Sequence, residues 1–342
     1  MKKFDFVIGN PPYQDTFIGD STQAPPVYHL FVEEAKEISD KILLITPARF
    51  LFNAGATPKA WNEKMLNYDH IKVMKYEQKS ASIFPNTDIK GGVTIFYIDK
   101  LKKYNPIKVF TSFNELNSII QKMNRFNYQS LSTIMYGQNT YKFSEKVHED
   151  YKDIEEKLSK GHKYDLTTSI FDKLPEIFLD DVDNKEDYMQ IIGRSNGKRV
   201  YKWIKRAYIR PNDTLLKYKV ILPSANGSGA IGEVLSTPLI GEPLIGYTQT
   251  FSSIGLFESY EECEHCLKYI KGKFARVLLG ILKVTQHNPP VKWKYVPLQD
   301  FTESSDIDWS KSISEIDRQL YKKYGLDEKE ISFIEEKVQE ME

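Results

Sequence analysis

Cysteine is nearly absent: the 342 residues hold two, Cys263 and Cys266. A disulfide framework is thereby excluded, and a reducing cytoplasm is the expected compartment. No apolar run is long enough to span a bilayer. The two leading lysines run into Asp5 and a Gly-Asn-Pro-Pro turn instead of a signal-peptide core. Charge of one sign is not in excess either. Lys+Arg and Asp+Glu are both 47, so the total says nothing about partners. Internal repeats and low-complexity segments are missing too. What is present is ordinary for a folded protein: 41% hydrophobic and 27% charged residues, in a chain long enough for two domains with their own cores.

Residues 4–8 form a short apolar run broken only by Asp5, and Gly9-Asn10-Pro11-Pro12 stops it abruptly. That predicts a buried strand ending in a rigid turn. Pro26 opens a helix whose inner face should carry Val27, Leu30, Phe31, Ala35 and Ile38. Strands are predicted over 41–47, 71–76 and 92–98, with a further helix over 61–66. Strands alternating with helices imply an α/β sheet, with Asn10 to Tyr13 at a strand's C-terminal end, where such sheets bind ligands. Residues 104–187 read as a helical connecting region, with polar helices over 113–123 and 145–158 and an acidic, turn-rich stretch at 180–187. From 188 onward, short β-type runs (219–222, 244–247) give way to helices over 261–270, 274–282, 314–324 and 328–338, with Gly325 as a C-cap. The expected domains are therefore 1–103, 104–187 and 188–342.

The segment Phe4-Asp5-Phe6-Val7-Ile8-Gly9-Asn10-Pro11-Pro12-Tyr13 resembles motif IV of the N6-adenine DNA methyltransferases of restriction-modification systems. Residues 42–51 resemble the strand and turn that follow in that family. Ser82-Ile83-Phe84-Pro85 and Ile89-Lys90-Gly91-Gly92-Val93 resemble its motif VIII. Segments at 272–279, 283–287, 295–301 and 316–321 are similar to the target-recognition region of the large methylases. The resemblance implies a partial Rossmann-like, S-adenosylmethionine-dependent methyltransferase sheet followed by an α+β DNA target-recognition domain.

The chemistry of the motif suits that family. Adenine's N6 is a poor nucleophile because its lone pair is delocalised into the ring. Two acceptors aimed at the amino hydrogens localise it. Asn10 supplies an amide oxygen and Pro11 a carbonyl, on a backbone stiffened by Pro11 and Pro12. The base must leave the helix to be reached, and a flat aromatic holds it there. Tyr13 supplies that face, and Phe84 would cover the other side. This is catalysis by positioning and electrostatics.

The family's glycine-rich cofactor loop lies upstream of motif IV, but only nine residues precede Asn10. The cofactor-binding half-sheet is therefore expected from a protein partner or a missing N-terminal region, and residues 4–8 are expected as an exposed apolar sheet edge. Gly227, Gly229 and Gly232 fit G-x-G-x-x-G and are weak candidates for the cofactor. A second strand ending in an acid for the ribose is lacking, and a glycine-rich loop of the DNA-reading domain is preferred.

Double-stranded DNA is the expected partner. Arg194, Lys198, Arg199, Lys202, Lys205 and Arg206 cluster without an acid and interleave with Tyr201 and Trp203, a phosphate-tracking pattern with Trp203 counted among the contacts. The bland alternative is a solvated strand or helix face. Cys263-Glu264-His265-Cys266 lacks a second pair at zinc spacing, so no metal site is expected. Asn288-Pro289-Pro290-Val291 repeats the loop's letters without its aromatic and reads as a turn. A competing function is a non-catalytic DNA-binding or specificity subunit, or a decayed methylase fragment.

Overall fold

The computed structural model describes residues 4–15, 24–87, 89 and 91–341. Met1, Lys2, Lys3 and Lys90 of the segments above lie outside them. The chain divides into two compact units, Met1–Phe126 and Asn127–Glu342.

In the first unit the order is β1 (Val7–Gly9), α1 (Tyr28–Ile38), β2 (Lys41–Pro47), α2 (Lys59–Asn67), β3 (Ile71–Glu77), β4 (Val93–Asp99) and α3 (Asn114–Met123). One mixed sheet runs β1-β2-β4-β3. β1 is parallel to β2, with Val7 opposite Ile42 and Gly9 opposite Leu44, so both strands end at the same edge. β4 is antiparallel to β2 and to β3. The helices cover a core of Tyr28, Val32, Ile42, Phe50, Trp61 and Phe96.

The predicted burial of residues 4–8 is not found. Phe4, Phe6 and Ile8 are 56%, 58% and 72% exposed. β1 has one strand neighbour, and its other edge is unpaired among the described residues. The inward face of α1 is Tyr28, Val32 and Ala35, whereas Leu30 and Phe31 point out.

The second unit contains β5 (Met135–Tyr136), α4 (Glu145–Asp150), α5 (Ile154–Lys157), α6 (Ile170–Lys173), β6 (Tyr188–Ser195), β7 (Lys198–Lys205), β8 (Tyr218–Pro223), β9 (Leu239–Gly241), β10 (Ile245–Tyr247) and β11 (Phe251–Phe257). Four helices follow: α7 (Tyr260–Lys271), α8 (Lys273–Leu279), α9 (Ile313–Lys323) and α10 (Glu328–Lys337). Its sheets run β10-β6-β7 and β5-β11-β8-β9. The division at Phe126 differs from the expected boundaries at 103 and 187. Ile107 and Phe110 pack on the first core. Tyr141, Phe143, Ile170 and Phe178 share one core with Met189, Ile191 and Ile204. The predicted helix over 145–158 is interrupted at Tyr151, which leaves α4 and α5 as short pieces.

The C-terminal helices are tied together by buried charge. Asp317 of α9 accepts the Lys273 and Phe274 backbone amides at 2.8 and 3.0 Å, meeting unpaired donors at the start of α8. Arg276 is buried and donates to the carbonyls of Lys271, Gly232 and Gln339. No helix among the described residues is long and apolar enough to cross a membrane.

Candidate functional site

Because β1 and β2 are parallel, the segments leaving them emerge side by side. Asn10 and Pro12 are exposed at the end of β1, and Pro11 and Tyr13 are half-buried. The loop is held by the approach to α1: Val27 N donates to Tyr13 O at 3.1 Å, Asp15 N to Pro25 O at 3.0 Å, and Gln14 bridges Pro26. These bonds fix the backbone on which Asn10 and Tyr13 sit.

Tyr13 borders a cavity of about 140 Å³, closed on other sides by Tyr28, Pro47, Arg49, Thr57 and Ile89. That is well below the roughly 300–1,000 Å³ of drug-sized sites and near the roughly 150 Å³ that houses a single aromatic ring. The Tyr13 ring also packs on the core. Its hydroxyl is buried with no partner in hydrogen-bond geometry. Burial pushes the phenol pKa up, and the Asn10 side chain offsets part of the rise. The Tyr28 phenol is likewise raised by burial, against the pull of its 2.7 Å bond to Thr57 and of Arg49.

Phe84 does not line this cavity. It is half-buried in the turn after β3, where its amide donates to Ser80 O at 2.8 Å and its carbonyl accepts from the Thr87 hydroxyl at 2.7 Å. Ile89, farther along the same loop, reaches the cavity instead. Sequence reading missed Arg49, Thr57 and Ile89. Pro47 and Arg49 fall inside the quoted 42–51 segment, which was the available signal.

The basic cluster forms a hairpin, β6 and β7, joined by Asn196 and Gly197 at φ 51° and 76°. A two-residue turn of this kind needs positive φ at both positions. The strand alternation splits the cluster. Arg199 donates to the carbonyls of Thr237 and Ser236 at 2.6 and 2.7 Å, and its guanidinium lies 5.5 Å from the Phe251 ring centroid. Lys202 pairs with Asp180. The Lys205 ammonium sits over Tyr208 and that of Lys185 over Trp203. The Arg206 backbone amide bonds Asp187 O, and its side chain is half-buried. Arg194 and Lys198 are exposed beside the turn, with no acidic partner among the described residues.

The loop with Gly227, Gly229 and Gly232 closes on its own carboxylate. Glu233 accepts from the backbone amides of Ser228 and Gly229 at 2.8 and 3.1 Å and pairs with the buried Lys283. Burial pulls the Glu233 pKa up, but the Lys283 bond and the loop amides outweigh it and hold the carboxyl below its usual range. A Cβ at Gly229 would lie 2.2 Å from Thr285 N, so the glycine permits close packing of backbone on backbone.

Cys263 and Cys266 are free and buried in α7, and burial pushes the Cys263 thiol up to about 12. His265 Nδ1 bonds the Phe301 carbonyl at 2.8 Å. Asn288 is buried and accepts from Trp293 Nε1 at 2.9 Å, which makes its Asn-Pro-Pro a structural turn.

Residues 1–84 match the Eco57I restriction-modification methylase family. A curated protein described as an uncharacterized adenine-specific methylase, from Mycoplasma pneumoniae, is 33% identical over 99 residues. That match covers 28% of this chain and 24% of the relative, so the chain spans about a quarter of that protein's length. Among solved structures, the type IIG restriction endonuclease BpuSI aligns over 92% of this chain and 50% of its own, at 10% identity and a TM-score of 0.34. The type IIL restriction-modification enzyme MmeI, solved in complex with DNA, aligns over 97% and 56%, at 10% identity and a TM-score of 0.33. The sequence matches make this a restriction-modification adenine-methyltransferase-like protein, with the similarity concentrated in the segment that carries the Asn10 loop.

Proposed function

We propose that this chain is the adenine-binding and DNA-recognising portion of a site-specific DNA adenine-N6 methyltransferase of a restriction-modification system, acting in the cytoplasm on double-stranded DNA. The observation that carries the reading is the Asn10-Pro11-Pro12-Tyr13 loop at the end of β1, opening beside a ring-sized cavity that Tyr13 borders.

In this reading the Asn10 amide oxygen and the Pro11 carbonyl accept the two N6 hydrogens and direct the lone pair outward. Tyr13 stacks on the extruded base, and Phe84 closes over it when DNA is bound. The second unit reads the target, with the exposed Arg194 and Lys198 at the hairpin tip contacting phosphates, and Lys205, Arg206 and Trp203 alongside. The methyl group comes from S-adenosylmethionine. The described residues do not fit that donor: the cavity is too small and has no acid in its lining, and Glu233 fills the Gly227–Gly232 loop. We therefore assign donor binding to a half-sheet supplied by another polypeptide or an N-terminal region and seated on the unpaired edge of β1. The exposed Phe6 and Ile8 support that assignment.

Asn10→Ala tests the role directly. In the assembly that methylates DNA, the change should abolish transfer while DNA affinity stays within a few-fold of wild type. Retained turnover would overturn the assignment. The second reading, a specificity subunit that does not turn over, gains support if the wild-type assembly binds DNA but transfers no methyl group.

A further inference from the structure

Arg49 is the only charged side chain among those lining the Tyr13 cavity. It follows Pro47 at the end of β2, in the 3-10 turn Ala48–Phe52, and is half-buried. Its stem is clasped by glycines from two other loops. A Cβ at Gly55 would stand 2.8 Å from Arg49 Cδ, and one at Gly91 3.1 Å from Cγ. Both glycines have positive φ, at 81° and 85°. A side chain at either position would push the arginine aside, so the loops are shaped around it. The guanidinium also acts on the Tyr28 hydroxyl across the cavity.

A neutral adenine gives a cation little to bind. The nucleotide that carries it has a phosphate on its sugar, and guanidinium is the side chain suited to phosphate oxygens. We propose that Arg49 binds the phosphate of the extruded nucleotide and so sets how deeply the base enters beside Tyr13. This rests on the reading of the cavity as the adenine site. In that role Arg49 is a positioning residue that acts before any methyl transfer.

The test uses the full chain and three probes: adenosine, adenosine 5′-monophosphate and inorganic phosphate, followed by saturation-transfer NMR and calorimetry. Wild type should bind the monophosphate roughly tenfold more tightly than adenosine, as expected for a charge-assisted pair. Arg49→Gln should lower monophosphate affinity to the level of adenosine and leave adenosine unchanged. Arg49→Lys should recover part of the preference, which a purely structural role would not produce. A preference that survives in Arg49→Gln, or its absence from wild type while adenosine binds, overturns the assignment of Arg49 alone. If adenosine does not bind at all, or binds equally well to Tyr13→Ala, the reading of the cavity fails as well. Equal competition by inorganic phosphate in Tyr13→Ala places the phosphate elsewhere and counts against the proposal.

Discussion

The Tyr13 hydroxyl is buried without a partner while the ring faces the cavity, so the two parts of one side chain have different consequences. An unsatisfied buried hydroxyl costs about 1–3 kcal/mol. Tyr13→Phe should therefore fold at least as stably as wild type, by thermal melting, and keep its affinity for adenosine. Tyr13→Ala removes the stacking surface, worth about 1–3 kcal/mol per base, and should weaken adenosine binding by roughly 5- to 150-fold. Equal losses in both variants would mean that the hydroxyl is the binding group and that stacking is the wrong role for Tyr13. At this scale the contiguous residues Asn10 to Tyr13 were legible in the sequence, because one turn carries them all. Arg49, Thr57 and Ile89 were not, because three separate segments meet only after folding.

Elements with a strong period were legible: β2, β3 and β4 and the helices α7, α9 and α10 lie where alternation or helical spacing placed them. The face of α1 was misread because apolar residues occur all round it, so Leu30 and Phe31 looked as suited to the core as Val32. The hairpin of β6 and β7 was read as a charge cluster, since cations occupy alternate positions that usually mark a strand by contrast with its neighbours. Asp317 shows an element-level coupling that no local pattern announces. Burial raises its pKa to about 6 from 3.8, against the opposing amides of Phe274 and Lys273. The folded state therefore holds a proton that the unfolded state gives up between those values. The stabilisation is full below about pH 4 and disappears as pH rises through 6, a change of about 3 kcal/mol at 1.36 kcal/mol per unit. Urea unfolding across that range should show the slope in wild type and a flatter profile in Asp317→Asn. Identical profiles would remove Asp317 as the source.

For the whole molecule, the division at Phe126 was hidden from the sequence because the 127–187 region has no strong period of its own and gains its core from strands that come later. The absence of a fitting donor site among the described residues gives a direct prediction. Isothermal titration of the chain with S-adenosylmethionine should show no micromolar binding, and a clear micromolar isotherm would sink the proposal of a separately supplied half-sheet. β1 itself has a further consequence. It is bonded on one side only, and whatever seats on its other side binds the ordered strand and not the unfolded one. By mass action, the order of this segment then follows the concentration of what completes it. The catalytic loop hangs from that strand, so its readiness would be set by supply: scarce neighbour, slack loop; abundant neighbour, taut one.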